Sequence, residues 1–329
     1  MNRGHSGSGT KASIASALEL ELSATGLGEG MRAAGRSCRR TCRYRRHDDT
    51  DYPDNVLIDD HRIANGVHGK GIPLVLIHGT PSFSFVWRNV LPQLTEVGRR
   101  VHVFDLLGYG HSERPVDPAV DTSVAGQVML LRKLFDHWNL ESAHVIAHDI
   151  GGAVAQRFTL DYPRQVRTLT LIDTVSFDSW PSPRTREQIE AGLDKLIKAP
   201  DTQHRAHFRD WIRTAFADPN NMAEEVLAAY VNVIAGPVGQ SSFFQHQVAH
   251  YDPRYTQDLT DRLVELGEHP VQLIWGADDR WQVIDWAYRL HASIPGARLH
   301  VLGKCGHFAM EDRPEEIARL VSGFTDELT

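Results

Sequence analysis

Cysteine is almost missing from this sequence: Cys38, Cys42 and Cys305 are the three in 329 residues. They are too few and too scattered for a disulfide framework, so a reducing, cytoplasmic setting is expected. Cys38 and Cys42 stand near His47, but no second ligand pair follows at zinc spacing, so no metal site is expected there. Long apolar runs are missing too, which excludes a helical membrane span. Nor is positive charge in excess. Lys and Arg number 35 against 42 Asp and Glu, a net charge of -7, which argues against a general nucleic-acid binder. The opening residues lack an apolar core between positive charge and a small-residue cleavage site, so no secretory signal is expected. What remains, 41% hydrophobic and 23% charged, is an ordinary soluble globular composition. At this length the chain can bury a large core.

Residues 1–50 stand apart from the rest. They pass from Gly and Ser through a short Ala/Leu/Glu stretch to Arg32, Arg36, Arg39, Arg40, Arg43, Arg45 and Arg46. That pattern reads as a solvated, poorly ordered tail, with a faint likeness to an organelle transit peptide. From Asn55 the pattern becomes globular, with early strands through Ala64. Pro73–Ile77, Val101–Phe104, Ala143–Ala147 and Val166–Ile172 are short, largely apolar runs separated by segments of helical periodicity. This is the pattern of a doubly wound, mostly parallel α/β sheet covered on both faces. The alternation stops after Asp173. Residues 176–262 show helical stretches around Thr185–Ile197, His204–Phe216 and Ala223–Ile234 and no buried parallel strand, which predicts an inserted helical cap. It resumes with Val271–Trp275, a helix from Ile284, the strand Arg298–Leu302 and a final helix opened by Pro314. The expected layout is a core of residues 51–175 and 263–329 around a cap of 176–262.

The chemistry centres on Ala147-His148-Asp149-Ile150-Gly151-Gly152, where a strand meets a helix through a very tight turn. Small residues two before and two after Asp149 fit a nucleophile elbow, whose usual occupant is Ser. Such a nucleophile needs a base and an acid to orient the base, each following the carboxyl end of a strand. His307, in a Gly-flanked turn after the last strand, is the candidate base. Asp279, in Gly276-Ala277-Asp278-Asp279, is the candidate acid, with Asp278 and Asp173 as competitors. Backbone N–H groups of Ile150 and of Thr80, in His78-Gly79-Thr80-Pro81, are candidates for an oxyanion hole. A carboxylate suits displacement at saturated carbon, because its attack on an ester or amide would give a reactive anhydride.

His78-Gly79-Thr80-Pro81, Asp105-Leu106-Leu107-Gly108-Tyr109-Gly110-His111-Ser112, His148–Gly152 and Gly306-His307-Phe308 with Glu311–Glu316 occur in an order that resembles the α/β-hydrolase superfamily. More narrowly, the chain resembles the aspartate-nucleophile branch of epoxide hydrolases and haloalkane dehalogenases over residues 55–327. The resemblance implies an alkyl-enzyme ester on Asp149, hydrolysed by water that His307 activates. It implies no cofactor and no metal, and as partners only water and a small apolar organic substrate, with neither nucleic acid nor membrane. Haloalkane dehalogenases typically hold halide with a Trp after the nucleophile, often beside an Asn in the early glycine turn; Ile150 and Thr80 stand in those positions. Trp180 or Trp211 could supply one indole N–H. Fluoroacetate dehalogenases place an Arg where Ile150 stands. Epoxide hydrolases use cap hydroxyls, usually Tyr, to protonate the opening ring. Tyr230, Tyr251 and Tyr255 are available, with His246 where a family Tyr might stand and His78 a further polar candidate. Epoxide hydrolysis is the leading expectation and dehalogenation the alternative. Ester or lactone hydrolysis and a non-catalytic ligand-binding fold are further rivals.

Overall fold

The computed structural model describes residues 54–328. The Arg-rich tail, Cys38, Cys42 and His47 lie outside the described residues. Eight strands form one sheet: β1 (Asp54–Ile58), β2 (His61–Gly69), β3 (Ile72–Ile77), β4 (Arg99–Phe104), β5 (Ala143–His148), β6 (Val166–Ile172), β7 (Val271–Gly276) and β8 (Arg298–Leu302). Their spatial order is β1-β2-β4-β3-β5-β6-β7-β8. β1 pairs with β2, and β2 with β4, antiparallel; every other pairing is parallel.

Continuous apolar runs mark the central strands because both faces are covered. Leu76 lies opposite Val103 and Ile146, and all three join one apolar cluster. Their neighbours Val75, Val145 and Leu169 line up on the other face, in a second cluster. The alternation follows from the two-residue side-chain period of a strand. The helices Val124–His137 and Ile150–Asp161 cover the second face; Ser123 caps the former, its Oγ accepting from the Gly126 N–H at 3.4 Å.

Between β6 and β7 the described chain is a series of helices joined by loops, without a strand. The stretch expected as one helix over 185–197 is two, Pro183–Glu190 and Asp194–Ile197. Gly192, at φ 84°, breaks it, since left-handed backbone cannot continue an α-helix. The next helix runs Asp201–Arg213 rather than His204–Phe216, starting directly after Pro200 with Asp201 in its first turn. A π-helical turn, Phe243–Gln247, follows Gly236–Ser242. Phe208, Ile212, Tyr230, Phe243 and Phe244 share a cluster with Val86, Trp87 and Phe308, so this insertion packs on the same face as the turns after β3 and β8.

The chain leaves β3 outward to β4 and then crosses back to β5 on β3's other side. The order therefore reverses between β3 and β5, at the crevice where open α/β sheets bind ligands. Thr80 follows β3 and Asp149 follows β5.

Candidate active site

Asp149 sits between β5 and the helix Ile150–Asp161 at φ 52°, ψ −122°, a region that side chains rarely adopt. Backbone bonds hold it there. Its N–H donates to Ile172 O at 3.3 Å, and its C=O accepts from Gly152 N at 2.9 Å and Val175 N at 3.3 Å. Gly152 is obligatory, because a Cβ there would run into Thr174 Oγ1. The strained turn lifts the carboxylate off the sheet end toward the loop after β3. There Asp149 Oδ1 accepts from the backbone N–H of Thr80 at 2.7 Å.

His307, in the turn after β8, reaches Asp149 from the other side, with Nε2 at 3.5 Å from Oδ2. Its Nδ1 bonds Asp279 Oδ2 at 2.8 Å. Asp279 is itself fixed, Oδ1 accepting from the N–H groups of Trp281 at 2.7 Å and Gln282 at 2.9 Å. Both the imidazole and the two carboxyl groups are buried. Burial disfavours a charged His307, but Asp279 and Asp149 on its two sides outweigh that and raise its pKa to about 10. For Asp149, burial acts upward; His307 and the Thr80 N–H overcome it and hold the carboxyl below its usual range.

Of the competing acids, Asp278 is exposed, and Asp173 spends Oδ1 on the Gly276 N–H at 2.8 Å. Asp279 is the carboxyl that bonds the His307 ring.

A second polar group adjoins Asp149. Tyr251 OH meets Thr80 Oγ1 at 2.5 Å and also hydrogen-bonds the hydroxyl of Tyr109. Burial pushes both phenols up, and the charge of Asp149 adds to each shift, so both stay protonated beside the carboxylate. Gln247 closes the group, its Oε1 3.4 Å from Thr80 Oγ1 and its Nε2 donating to Gly108 O at 3.2 Å. The π-helical turn sets Gln247 in that position. Trp180 tilts against Tyr251, ring centres 4.7 Å apart. Trp211 stacks on Trp281 at 4.3 Å, and Trp281 faces His307 at 4.9 Å. Ile150, buried, opens the helix after Asp149.

Other candidates are committed elsewhere. His78 uses both ring nitrogens on backbone, Nδ1 to Gly79 O at 2.8 Å and Nε2 accepting from Leu106 N at 3.0 Å, and burial keeps it neutral. Tyr230 donates to Glu311, which also pairs with Arg88. His246 packs over Gly108 and interacts with the segment around Arg114, Pro115 and Asp117 rather than with Asp149. Tyr255 lies against Arg157 and Arg254.

Three residues at the site are absent from the sequence candidates, Tyr109, Gln247 and Trp281. Tyr109 lies between Gly108 and Gly110, whose φ values of 85° and 49° turn the backbone and throw the ring inward. Asp105 secures that turn, accepting from His111 N at 2.7 Å and Ser84 N at 2.9 Å. A large aromatic between two glycines was the available signal. For Trp281 it was the position two after Asp279.

Comparison with known proteins gives a consistent fold. Residues 72–314 match the family model described as the alpha/beta hydrolase fold. A Cupriavidus pinatubonensis protein named 2-hydroxy-6-oxononadienedioate/2-hydroxy-6-oxononatrienedioate hydrolase is 28% identical, over 76% of this chain and 86% of its own. A Shewanella oneidensis cis-3-alkyl-4-alkyloxetan-2-one decarboxylase is 24% identical, over 81% of this chain and 87% of its own. Among solved structures, an alpha/beta hydrolase fold protein from Burkholderia ambifaria superposes with TM-score 0.76 at 34% identity, covering 83% of this chain and 97% of the other. The epoxide hydrolase CorEH gives TM-score 0.72 at 26% identity, covering 84% and 99%.

Proposed function

The chain belongs to the α/β-hydrolase fold family, and within it we propose an epoxide hydrolase that works through an alkyl ester of Asp149. The observation that carries this reading is the Asp149 carboxylate itself. It stands at the elbow, one oxygen on the Thr80 N–H and the other turned to His307, with two protonated phenols adjoining.

In this reading the helical segment 176–262 is a cap over a small apolar organic substrate. Asp149 Oδ2 attacks a ring carbon, and the C–O bond of the strained ring breaks. The ring oxygen takes a proton from the Tyr251–Tyr109 hydroxyl pair, leaving a hydroxyalkyl ester. Once Asp149 is esterified its charge no longer supports the imidazolium, so His307 can release its proton, which restores the phenol deprotonated in ring opening, and act as base. It then deprotonates a water, whose oxygen adds to Cγ of the ester. The N–H groups of Thr80 and Ile150 hold the resulting oxyanion, and on collapse the proton of the added hydroxyl passes to the leaving alkoxide, releasing the diol and returning ionised Asp149 beside protonated His307.

The names of the relatives span hydrolysis of a 2-hydroxy-6-oxononadienedioate or -nonatrienedioate, decarboxylation of an oxetan-2-one, which holds a four-membered ring, and epoxide hydrolysis. Asp149 favours the strained-ring chemistry over attack on a ketone, which would leave an anhydride. Dehalogenation is the second reading, favoured by Trp180, the indole beside Tyr251. The test is His307→Gln incubated with a panel of epoxides and haloalkanes, followed by intact-mass and peptide analysis. An epoxide-mass adduct on the Asp149 peptide is expected. Adducts from haloalkanes alone move the assignment to the second reading, and a folded variant with no adduct removes both.

A further inference from the structure

Asp173 is a second buried acid beside the His307–Asp279 pair, and the steps above give it no role. It follows β6 at φ 44°, and its side chain is fully buried. Its backbone N–H donates to Ile274 O at 3.1 Å and its Oδ1 accepts from Gly276 N at 2.8 Å, so it bridges β6 and β7. Its Oδ2 is equally buried and, among the described residues, no donor reaches it. What this carboxyl faces is the carboxyl of Asp279.

Two carboxylates in contact away from water cannot both be ionised, and two acceptors cannot satisfy each other without a proton between them. The donors decide where that proton resides. Asp279 receives three: the N–H groups of Trp281 and Gln282 on Oδ1, and His307 Nδ1 on Oδ2. Asp173 receives one, from Gly276. The anion therefore belongs on Asp279, which still has a lone pair to accept a fourth hydrogen bond.

We propose that Asp173 is held as a neutral carboxylic acid whose O–H donates to Asp279, so that the two carboxyl groups position His307 and set its basicity as one unit. The groups facing Asp173 agree with this. Asp279 lies after β7, and His307 and Cys305 lie after β8, with Asp149 beyond the imidazole and His148 against its ring. Burial is the largest influence on Asp173 and raises its pKa well above the usual carboxylate range, and Asp279 adds to the rise; His307 opposes without reversing it. Cys305, raised by burial above all, stays a thiol and brings no charge. By drawing charge from Asp279, the Asp173 O–H makes Asp279 a weaker partner for an imidazolium. His307 then gives up its proton more readily once Asp149 is esterified. Asp173 is thus a positioning residue. Its catalytic consequence rests on His307 acting as the base, but its protonation does not.

The test uses Asp173→Asn. The amide oxygen keeps the Gly276 bond, and the NH₂ replaces the O–H donor to Asp279 without altering charge. The imidazole pKa of His307, followed by NMR in the resting protein, is expected to stay within about 0.3 units of the parent. The infrared spectrum of the unmodified protein at neutral pH should hold a buried carboxylic-acid C=O band that Asp173→Asn removes. Absence of that band overturns the proposal, whether or not the variant folds. So does a fall in the His307 pKa by about one unit or more, the signature of losing an ionised neighbour. Neither readout involves turnover, so a substrate class other than epoxides leaves both informative.

Discussion

Tyr251 brings an O–H to Asp149 without bringing charge. Its ring is fixed against Trp180 and its hydroxyl is shared with Thr80 and Tyr109. Tyr251→Phe keeps the ring and deletes only the proton donor. If the ring oxygen of an epoxide is protonated here, kcat/KM for epoxides falls by about 10²-fold, the lower end of what a positioned general acid contributes. The ester trapped in His307→Gln should then form correspondingly more slowly in the double variant, since the lost step precedes the ester. Steady-state kinetics with an aryl epoxide and timed intact-mass measurement make the check. Unchanged alkylation would assign protonation to Tyr109 alone or to water. Asp149, Thr80, His307 and Asp279 could be read from the sequence because each sits at the end of a strand in a short turn, where chain order and space coincide. Tyr109 could not be, since its inward ring depends on two glycine conformations and on Asp105 from the end of β4.

At the scale of elements, the helical segment between β6 and β7 is anchored by Glu311. This carboxylate, in the short helix Ala309–Asp312, pairs with Arg88, just after the turn Ser84–Trp87, and accepts from Tyr230 in the helix Glu224–Val233. Arg88 NH2 lies 2.7 Å from Glu311 Oε2, and its guanidinium covers the Phe85 ring at 4.0 Å. The Glu311 side chain is only 5% exposed, so removing its cation strands a buried charge. Arg88→Met should destabilise the fold by about 3–5 kcal/mol. Tyr230→Phe, which removes one hydrogen bond to a charged acceptor, should cost about 1.5–3 kcal/mol. Urea denaturation reads both, and an Arg88→Met midpoint matching the parent would show that Glu311 is rehydrated. The same pair explains a limit of the sequence reading. Tyr230 had the look of a hydroxyl donor for the substrate because its partner lies 81 residues away, and local pattern carries no trace of that distance. Helix boundaries in this segment were similarly blurred, as Gly192 and Pro200 act through backbone geometry that apolar periodicity does not encode.

Over the whole molecule, the parallel sheet was legible because strands buried on both faces must be apolar along their length, as Leu74–Ile77 and Val145–Ala147 are. Among the polar exceptions are histidines set within it, and they give the fold a pH dependence. His102 in β4 and His144 in β5 are buried, and burial above all lowers their pKa values to about 4; His148, at the end of β5, falls to about 3 for the same reason. Each is neutral in the fold but takes up a proton near pH ~6.5 once unfolded, so its contribution to stability is complete above that pH and is lost as pH falls toward 3–4. Asp173 acts oppositely, since its raised pKa lets the fold bind a proton that the unfolded chain binds only near ~3.9. His307, raised to about 10, is protonated in both states below ~6.5 and takes no part there; above ~6.5 the unfolded chain sheds that proton first, so its contribution is lost progressively up to about 10. His102, His144 and His148 less Asp173 leave two protons, or ~3 kcal/mol lost per pH unit between ~6 and ~4, and His78, also kept neutral by burial, adds in the same direction. Against a total stability of about 5–15 kcal/mol, that is enough to unfold the domain within a few pH units. Thermal melts from pH 8 to pH 4 should show a midpoint highest near pH ~6.5, falling steeply below it and also declining above it as the fold holds the His307 proton that the unfolded chain releases. His102→Gln should shallow that fall by about one proton's worth. A midpoint independent of pH across this range would mean that the buried histidines are protonated in the fold, or that the unfolded chain protects them equally.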